Sequence, residues 1–493
     1  MSVNNNLSIT QLPWALGDKQ QLISKHLNQL KNIKRHFLGY QTNQNIEISE
    51  TISPFLNMNV LNLGDAFENG DYQLNAKEFE RAILQYYARL YHLDSENSDS
   101  QEYWGYLTTM GSTEGNLCAL WNAREYLSQN FNKPPVVLYS KQTHYSIHKA
   151  CRLLQLPNIA ELGKQLGDCP IDNCSINQNS NEHGWPQAIP TQTDGSIDIN
   201  ALFKVAKFFI DRGYPIIFNF NYGTTFNGAF DDIELAMQRL KPLLYKNTNK
   251  RNYWLHVDGA LAANYMPFIE QGLKQGLENN TQYRKEKVPI FDFRIPEVMS
   301  ISVSPYKWIG APWPYGIFMT RKSLVNINTH RPHYIGSNDT TISGSRNGFS
   351  AIMLWDKLTK LGQKGLIDLA FRNEKLTQYA HQKISDLIEN STISAETILL
   401  QPRVCFSNII LFRSPNRNII NQFSLCSDWH DINGISVLLS HIVILEHVTF
   451  ETIDYFIEAL QKPDAFSTSF TKSALDESNL STANLNAVTL STP

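Results

Sequence analysis

The chain has 493 residues, 42% of them hydrophobic and 18% charged, with a net charge of −3. This is ordinary globular usage, with enough apolar material for a core that can bury a small molecule. The near-balanced charge argues against a nucleic-acid or membrane-surface partner, and no apolar run approaches the roughly 20 residues of a membrane span. Met1 to Trp14 is polar and Asn-rich, without the basic start and apolar centre of a secretory leader, so a cytoplasmic protein is expected. Six cysteines are sparse for a disulfide framework. Cys169 and Cys174 lack a nearby second pair to complete a zinc site, and the cysteines are read as reduced and structural.

In chain order, Lys19 to Phe37 shows helical periodicity through Leu22, Ile23, His26, Leu27, Leu30 and Ile33, and could pack on a partner subunit. From about Tyr103, short apolar runs alternate with helical stretches. Val136 to Tyr139, Pro215 to Phe220, Tyr253 to Val257 and Met299 to Val303 read as buried strands. Asn116 to Leu127 and Ile199 to Arg212 read as helices between some of them. The alternation predicts an α/β fold with a mostly parallel sheet. Beyond it, residues 350–463 hold their own helices and the strand-like Arg403 to Phe412 and Ile435 to Leu445. The division expected is an N-terminal helical segment (1–60), a large domain (61–349), a smaller C-terminal α+β domain (350–463) and a Ser/Thr/Asn-rich disordered tail (464–493).

Ligands of such sheets sit at the carboxyl ends of the strands. Those ends carry Ser140 to His144, Asn221 to Thr225, Asp258 and Ser304 to Lys307. Gly111-Ser112-Thr113-Glu114-Gly115-Asn116 places small and hydroxyl residues before a helix, a turn that offers N–H groups and a dipole to a phosphate. It also fits a plain capped helix start. Asp258 ends an apolar strand, where a carboxylate is costly without a positive partner. A protonated pyridine nitrogen is one such partner, and a local turn cap is the other reading. Lys307 follows a strand among aromatics, where lost hydration would free its amine for Schiff-base chemistry, unless its stem only covers Trp308 at the surface. His144 is an imidazole that could stack on a ring or serve structure alone. His148 lies four residues further on, but no acidic ligand accompanies the pair, so no metal is expected.

In order and spacing these stretches resemble the group II pyridoxal-5′-phosphate-dependent amino-acid decarboxylases, over about residues 55–460. The resemblance is strongest in Tyr106 to Arg124, Tyr139 to Arg152, Asn219 to Ile233, His256 to Ala262, Ser302 to Gly316 and Ser337 to Trp355. Gly64 to Tyr91 and Tyr103-Trp104-Gly105-Tyr106 look most like bacterial enzymes acting on valine or methionine, with bacterial histidine decarboxylases next. The resemblance implies the PLP-dependent transferase fold (fold type I), pyridoxal 5′-phosphate as cofactor, a small-molecule amino-acid substrate and a homodimer. It implies that Gly111, Ser112, Thr113 and Ser304 hold the phosphate, and that His144 and Ala260 lie on opposite ring faces. Asp258 would pair with the ring nitrogen, Thr224 would lie near the ring hydroxyl, and Lys307 would form the Schiff base.

Tyr334, in His333-Tyr334-Ile335-Gly336, matches the loop tyrosine suited to protonating Cα in the aromatic-amino-acid relatives. Ser343 to Arg346 matches a segment that helps build a neighbouring chain's pocket. One departure is Tyr306, where the family usually has His immediately before the lysine. The activity implied is decarboxylation of an uncharged aliphatic amino acid such as valine, leucine or methionine. Histidine is the alternative, followed by another fold-type-I reaction and then a catalytically silent binding protein.

Overall fold

A computed structural model describes residues 7, 9, 13–94, 102–171, 184–244, 251–276, 287–325, 330–390, 393–432 and 434–466. Cys174 and the tail expected from residue 464 lie outside them, except for 464–466.

The strands in chain order are β1 (Leu61–Leu63), β2 (Tyr103–Thr108), β3 (Val136–Leu138), β4 (Ile216–Asn221), β5 (Tyr253–Asp258), β6 (Ser300–Val303), β7 (Gly316–Arg321), β8 (Ser345–Asn347), β9 (Ile409–Arg413), β10 (Cys426–Ile432) and β11 (Ile435–Val443). A six-stranded sheet has the order β2-β7-β6-β5-β4-β3. The pairs β3–β4, β4–β5 and β5–β6 are parallel, and β7 alone runs against the others. Every residue of β3, β4, β5 and β6 is buried, as apolar β-branched and aromatic runs require when helices cover both faces. This is the α/β, mostly parallel sheet that the alternation predicts. The antiparallel β2–β7 edge has no such signal of its own in the chain.

Among the helices, α1 (Leu16–Lys34) has no buried residue, and Leu16, Ile23, Leu27, Leu30 and Ile33 are exposed along it. Helix α2 (Lys77–Leu90) packs on β2 and on the helical stretch Gly348–Asn390, which breaks at Gly362. Helix α3 (Ser112–Ser128) lies across β5, β6 and β7. A Cβ on Gly115 would stand 2.4 Å from Ser302 Oγ, so glycine is what lets α3 approach β6. Helix α4 (Tyr145–Leu153) begins at His144. No helix among the described residues is long and apolar enough to cross a membrane.

A second antiparallel sheet, β10-β11-β9, packs with the helices Arg417–Phe423 and Phe450–Leu460 around its own apolar cluster, which includes Phe412, Ile442, Phe456 and Leu460. The stretch after α1 runs from this cluster to the main sheet's cleft. It is pinned by Leu38 N–H to Phe423 O (3.0 Å) and Val443 N–H to Leu38 O (2.7 Å).

Candidate active site

The cleft opens at the carboxyl ends of β3 to β6, where open parallel sheets bind their ligands. Its cavity volume is about 120 Å³. Ser112, Thr113, His144, Thr224, Asp258, Ala260, Ser304 and Lys307, all expected from the sequence, line it together. Gln41, Met110, Tyr145, Asn221, Gly223, Thr225 and Tyr306 complete the lining.

Asp258 is the last residue of β5. Its Oδ2 accepts from Asn116 Nδ2 (2.7 Å) and its Oδ1 from Ala260 N–H (3.2 Å). Lys307 sits in a short turn, Tyr306–Gly310, after β6, and its Nζ donates to Gln41 Oε1 (2.9 Å). Burial lowers the Lys307 ammonium to about 8 against the opposing pull of Asp258. Gln41 is itself held, donating from Nε2 to Thr225 O (2.9 Å).

His144 caps α4, and its Nδ1 accepts from Ser146 N–H (3.3 Å). Burial holds its imidazole below the usual histidine range, with Asp258 pulling the other way. Gly111, at the start of α3, has φ +62°. A Cβ there would stand 3.0 Å from the Tyr306 ring and 3.1 Å from Ser304 Oγ, so the turn needs glycine's backbone freedom and leaves a side chain only tight space. Ser304 Oγ meets Ser112 N–H (2.8 Å) and Ser112 Oγ (2.8 Å), which ties the α3 turn to the end of β6.

Two expected residues are placed elsewhere. Tyr334 is 83% exposed and does not line its own chain's cleft. Arg346 is buried in its own chain, paired with Glu80 and donating from Nη2 to Gly64 O (3.0 Å). Arg346 thus makes its ion pair within its own chain, in the segment whose counterpart in the family helps build a neighbouring chain's pocket. Gly344 and Ser345 of the same segment are exposed. Three residues carry site geometry that the sequence reading did not single out: Gln41, Asn116 and Asn221. Asn221 Nδ2 reaches Ser140 Oγ (3.1 Å) and Thr143 Oγ1 (3.0 Å). Asn116 had a readable signal, an amide one turn into a helix covering the sheet; Gln41 had none.

A parallel-sheet cleft with a strand-end aspartate, a partly desolvated lysine and a glycine turn at a helix start defines a fold-type-I pyridoxal-phosphate enzyme. Residues 186–409 match the pyridoxal-dependent decarboxylase conserved domain. A histidine decarboxylase of Solanum lycopersicum is 31% identical over 443 residues, covering 90% of this chain and 88% of that one. A serine decarboxylase of Oryza sativa subsp. japonica is 29% identical over 89% of this chain and 77% of its own length. L-methionine decarboxylase from Streptomyces sp. 590, solved with L-methionine methyl ester, superposes with a TM-score of 0.83 at 29% identity, over 92% of this chain and 96% of that one. The chain belongs to the pyridoxal-dependent decarboxylase family and is an amino-acid carboxy-lyase that uses pyridoxal phosphate. The residues present suit that group: a side-chain-free turn at the positive end of α3, a carboxylate at the strand end, and an amine whose charge burial has weakened.

Proposed function

We propose that the chain decarboxylates an uncharged aliphatic amino acid such as valine, leucine or methionine, and does so as a homodimer. The observation that carries the substrate reading is the charge of the cleft. Among the described residues its lining contains Lys307 and no other lysine or arginine. With Lys307 committed to the cofactor, an acidic side chain would find no cation there, whereas Met110, Tyr145 and Tyr306 offer apolar surface. Histidine is the second reading, favoured by the relative from Solanum lycopersicum. Incubation with each of the twenty amino acids, scored for amine and CO2, tests both. Release of amine only from glutamate or aspartate would overturn the aliphatic reading.

When bound, pyridoxal phosphate supplies a conjugated ring that accepts the electron pair left on Cα as CO2 departs. In this reading Lys307 would hold the cofactor through its amine, which burial leaves less strongly protonated. Gly111, Ser112, Thr113 and Ser304 hold its phosphate at the start of α3. Asp258 would keep a proton on the ring nitrogen, and Thr224 would lie near the ring hydroxyl. His144 and Ala260 would bound the two ring faces, with His144 toward the substrate. Tyr306 stands in the place of a histidine beside the Gly111 turn, where its hydroxyl can donate one hydrogen bond. Tyr334, exposed on its own chain, supplies the proton to Cα in the site of a second chain.

A further inference from the structure

Behind Asp258 lies a row of fully buried polar groups. Asn116 Nδ2 reaches Asp258 Oδ2 (2.7 Å), and Asn116 Oδ1 meets His256 Nε2 (2.9 Å). His256 Nδ1 meets Ser300 Oγ (2.9 Å), and Trp254 Nε1 donates to the same oxygen (2.9 Å). Trp254, Ser300, His256 and Asn116 are all 0% exposed. The direction of every hydrogen bond follows from the two ends. An indole N–H can only donate, and a carboxylate can only accept. Asn116 must therefore turn its NH2 to Asp258 and its carbonyl to His256, so Nε2 of His256 carries the proton. Nδ1 is then bare and takes the Ser300 hydroxyl proton, while Ser300 Oγ accepts from Trp254.

A branch leaves the same amide. Asn116 Nδ2 also donates to Ser146 Oγ (3.0 Å), and Ser146 Oγ contacts His144 Nδ1 (2.8 Å). The Ser146 backbone N–H also points at Nδ1 (3.3 Å), and a backbone N–H only donates. Nδ1 of His144 is therefore an acceptor, and its proton sits on Nε2.

We propose that Trp254, Ser300, His256 and Asn116 form a proton-ordered chain of positioning residues that orients the Asp258 carboxylate and, through Ser146, sets His144 as an Nε2–H donor in the cleft. The proposal rests on the reading of Asp258 and His144 as cofactor contacts. It makes His144 a donor toward the substrate carboxylate rather than a base. Burial keeps His256 neutral, down to about 4, which agrees with a ring holding a single proton.

The test uses the holoenzyme and two amides of similar polarity. A glutamine amide nitrogen falls near the imidazole Nε2 position, and an asparagine one near Nδ1. His256→Gln should therefore keep the donor to Asn116, and His256→Asn should lose it. Cofactor dissociation constants, from spectral titration, should stay within about threefold of wild type for the first and weaken about tenfold or more for the second. Melting curves report whether each variant folds. If His256→Asn fails to fold, Ser300→Ala removes one oxygen and should weaken the cofactor by about fivefold or more. Equal losses in His256→Gln and His256→Asn, or wild-type affinity in a folded His256→Asn or in Ser300→Ala, would overturn the proposal. So would a 15N spectrum of the holoenzyme that puts the His144 proton on Nδ1. Asp258→Asn, measured in parallel, separates the two levels. Wild-type cofactor affinity and turnover there would defeat the reading of Asp258 itself, whereas impairment there with a silent His256→Asn defeats only the chain behind it.

Discussion

Lys307 Nζ lies 2.9 Å from Gln41 Oε1, although 266 residues separate the two in the chain. Gln41 offers the amine a neutral acceptor, so burial can lower the charge on Lys307 without a carboxylate beside Nζ to restore it. Gln41→Glu should reverse that effect by pairing with the ammonium. Cofactor capture by the cofactor-free enzyme near neutral pH is expected to slow by about tenfold or more, with little change in melting temperature. Stopped-flow absorbance on mixing with pyridoxal phosphate measures the rate, and an unchanged rate would separate Gln41 from the reactivity of the lysine.

The same lysine gives a pH dependence with a definite sign. Burial moves its pKa down from 10.5 to about 8, and Asp258 opposes the shift. The neutral, nucleophilic amine therefore grows in as pH rises, so capture should accelerate up to about 8 and then level off. Stability follows the same direction. Without cofactor, the folded chain bears the cost of the buried ammonium in full below about 8, and that cost is relieved as pH rises toward 10.5. Asp258→Asn removes the opposing charge and should move the capture midpoint to lower pH. Lys307→Ala should abolish both capture kinetics and turnover.

Local signals account for most of the sheet and much of the cleft. β4 and β5 are legible because a strand buried on both faces must be almost continuously apolar, and the lining residues that follow β3 to β6 come with that reading. The edge pair β2–β7 depends on a long-range antiparallel partnership. The place of Gln41 depends on the pinning of Leu38 against Phe423 and Val443. Neither is written in periodicity. The burial of Arg346 follows from its partner Glu80 on α2, far away in sequence, which no local pattern announces.

Asp258→Asn should fold, its single amide oxygen keeping one of the two hydrogen bonds that Asn116 Nδ2 and the Ala260 N–H make to the carboxylate and losing the other. It should lose about two orders of magnitude or more in turnover, because a neutral amide cannot hold the ring nitrogen's proton as a carboxylate does. Steady-state amine release in a variant with a wild-type melting curve is the measurement. Near-normal turnover would exclude the electrostatic role.

The Arg346–Glu80 pair is buried on both sides, and Glu80 also accepts from Asn62 Nδ2 (2.7 Å) and Leu107 N–H (2.8 Å). Arg346→Leu would strand that carboxylate in the core, at a cost of about 3–5 kcal/mol. Adding Glu80→Gln should recover part of the loss, because the remaining amide still accepts one hydrogen bond without a charge. Urea unfolding of the single and double variants decides this. Additive losses would show that the two side chains do not act as a pair.

Tyr334 is exposed on its own chain, which makes its proposed role testable by mixing chains. Tyr334→Phe removes only the hydroxyl, so on its own it should lower kcat while leaving cofactor affinity and KM near wild type. If the hydroxyl serves the neighbouring chain, a dimer of one Lys307→Ala chain and one Tyr334→Phe chain contains one intact site. In that site the Lys307 of the second chain meets the Tyr334 of the first. Such a mixed dimer, isolated with two affinity tags, should recover up to half of wild-type activity, although each parent homodimer is impaired. If Tyr334 served its own chain, the only site with a lysine would carry phenylalanine, and no activity above that of the Tyr334→Phe enzyme would return. A fully active, concentration-independent monomer would remove both the homodimer and the crossed tyrosine from the scheme, and leave His144 as the nearest proton donor in the cleft.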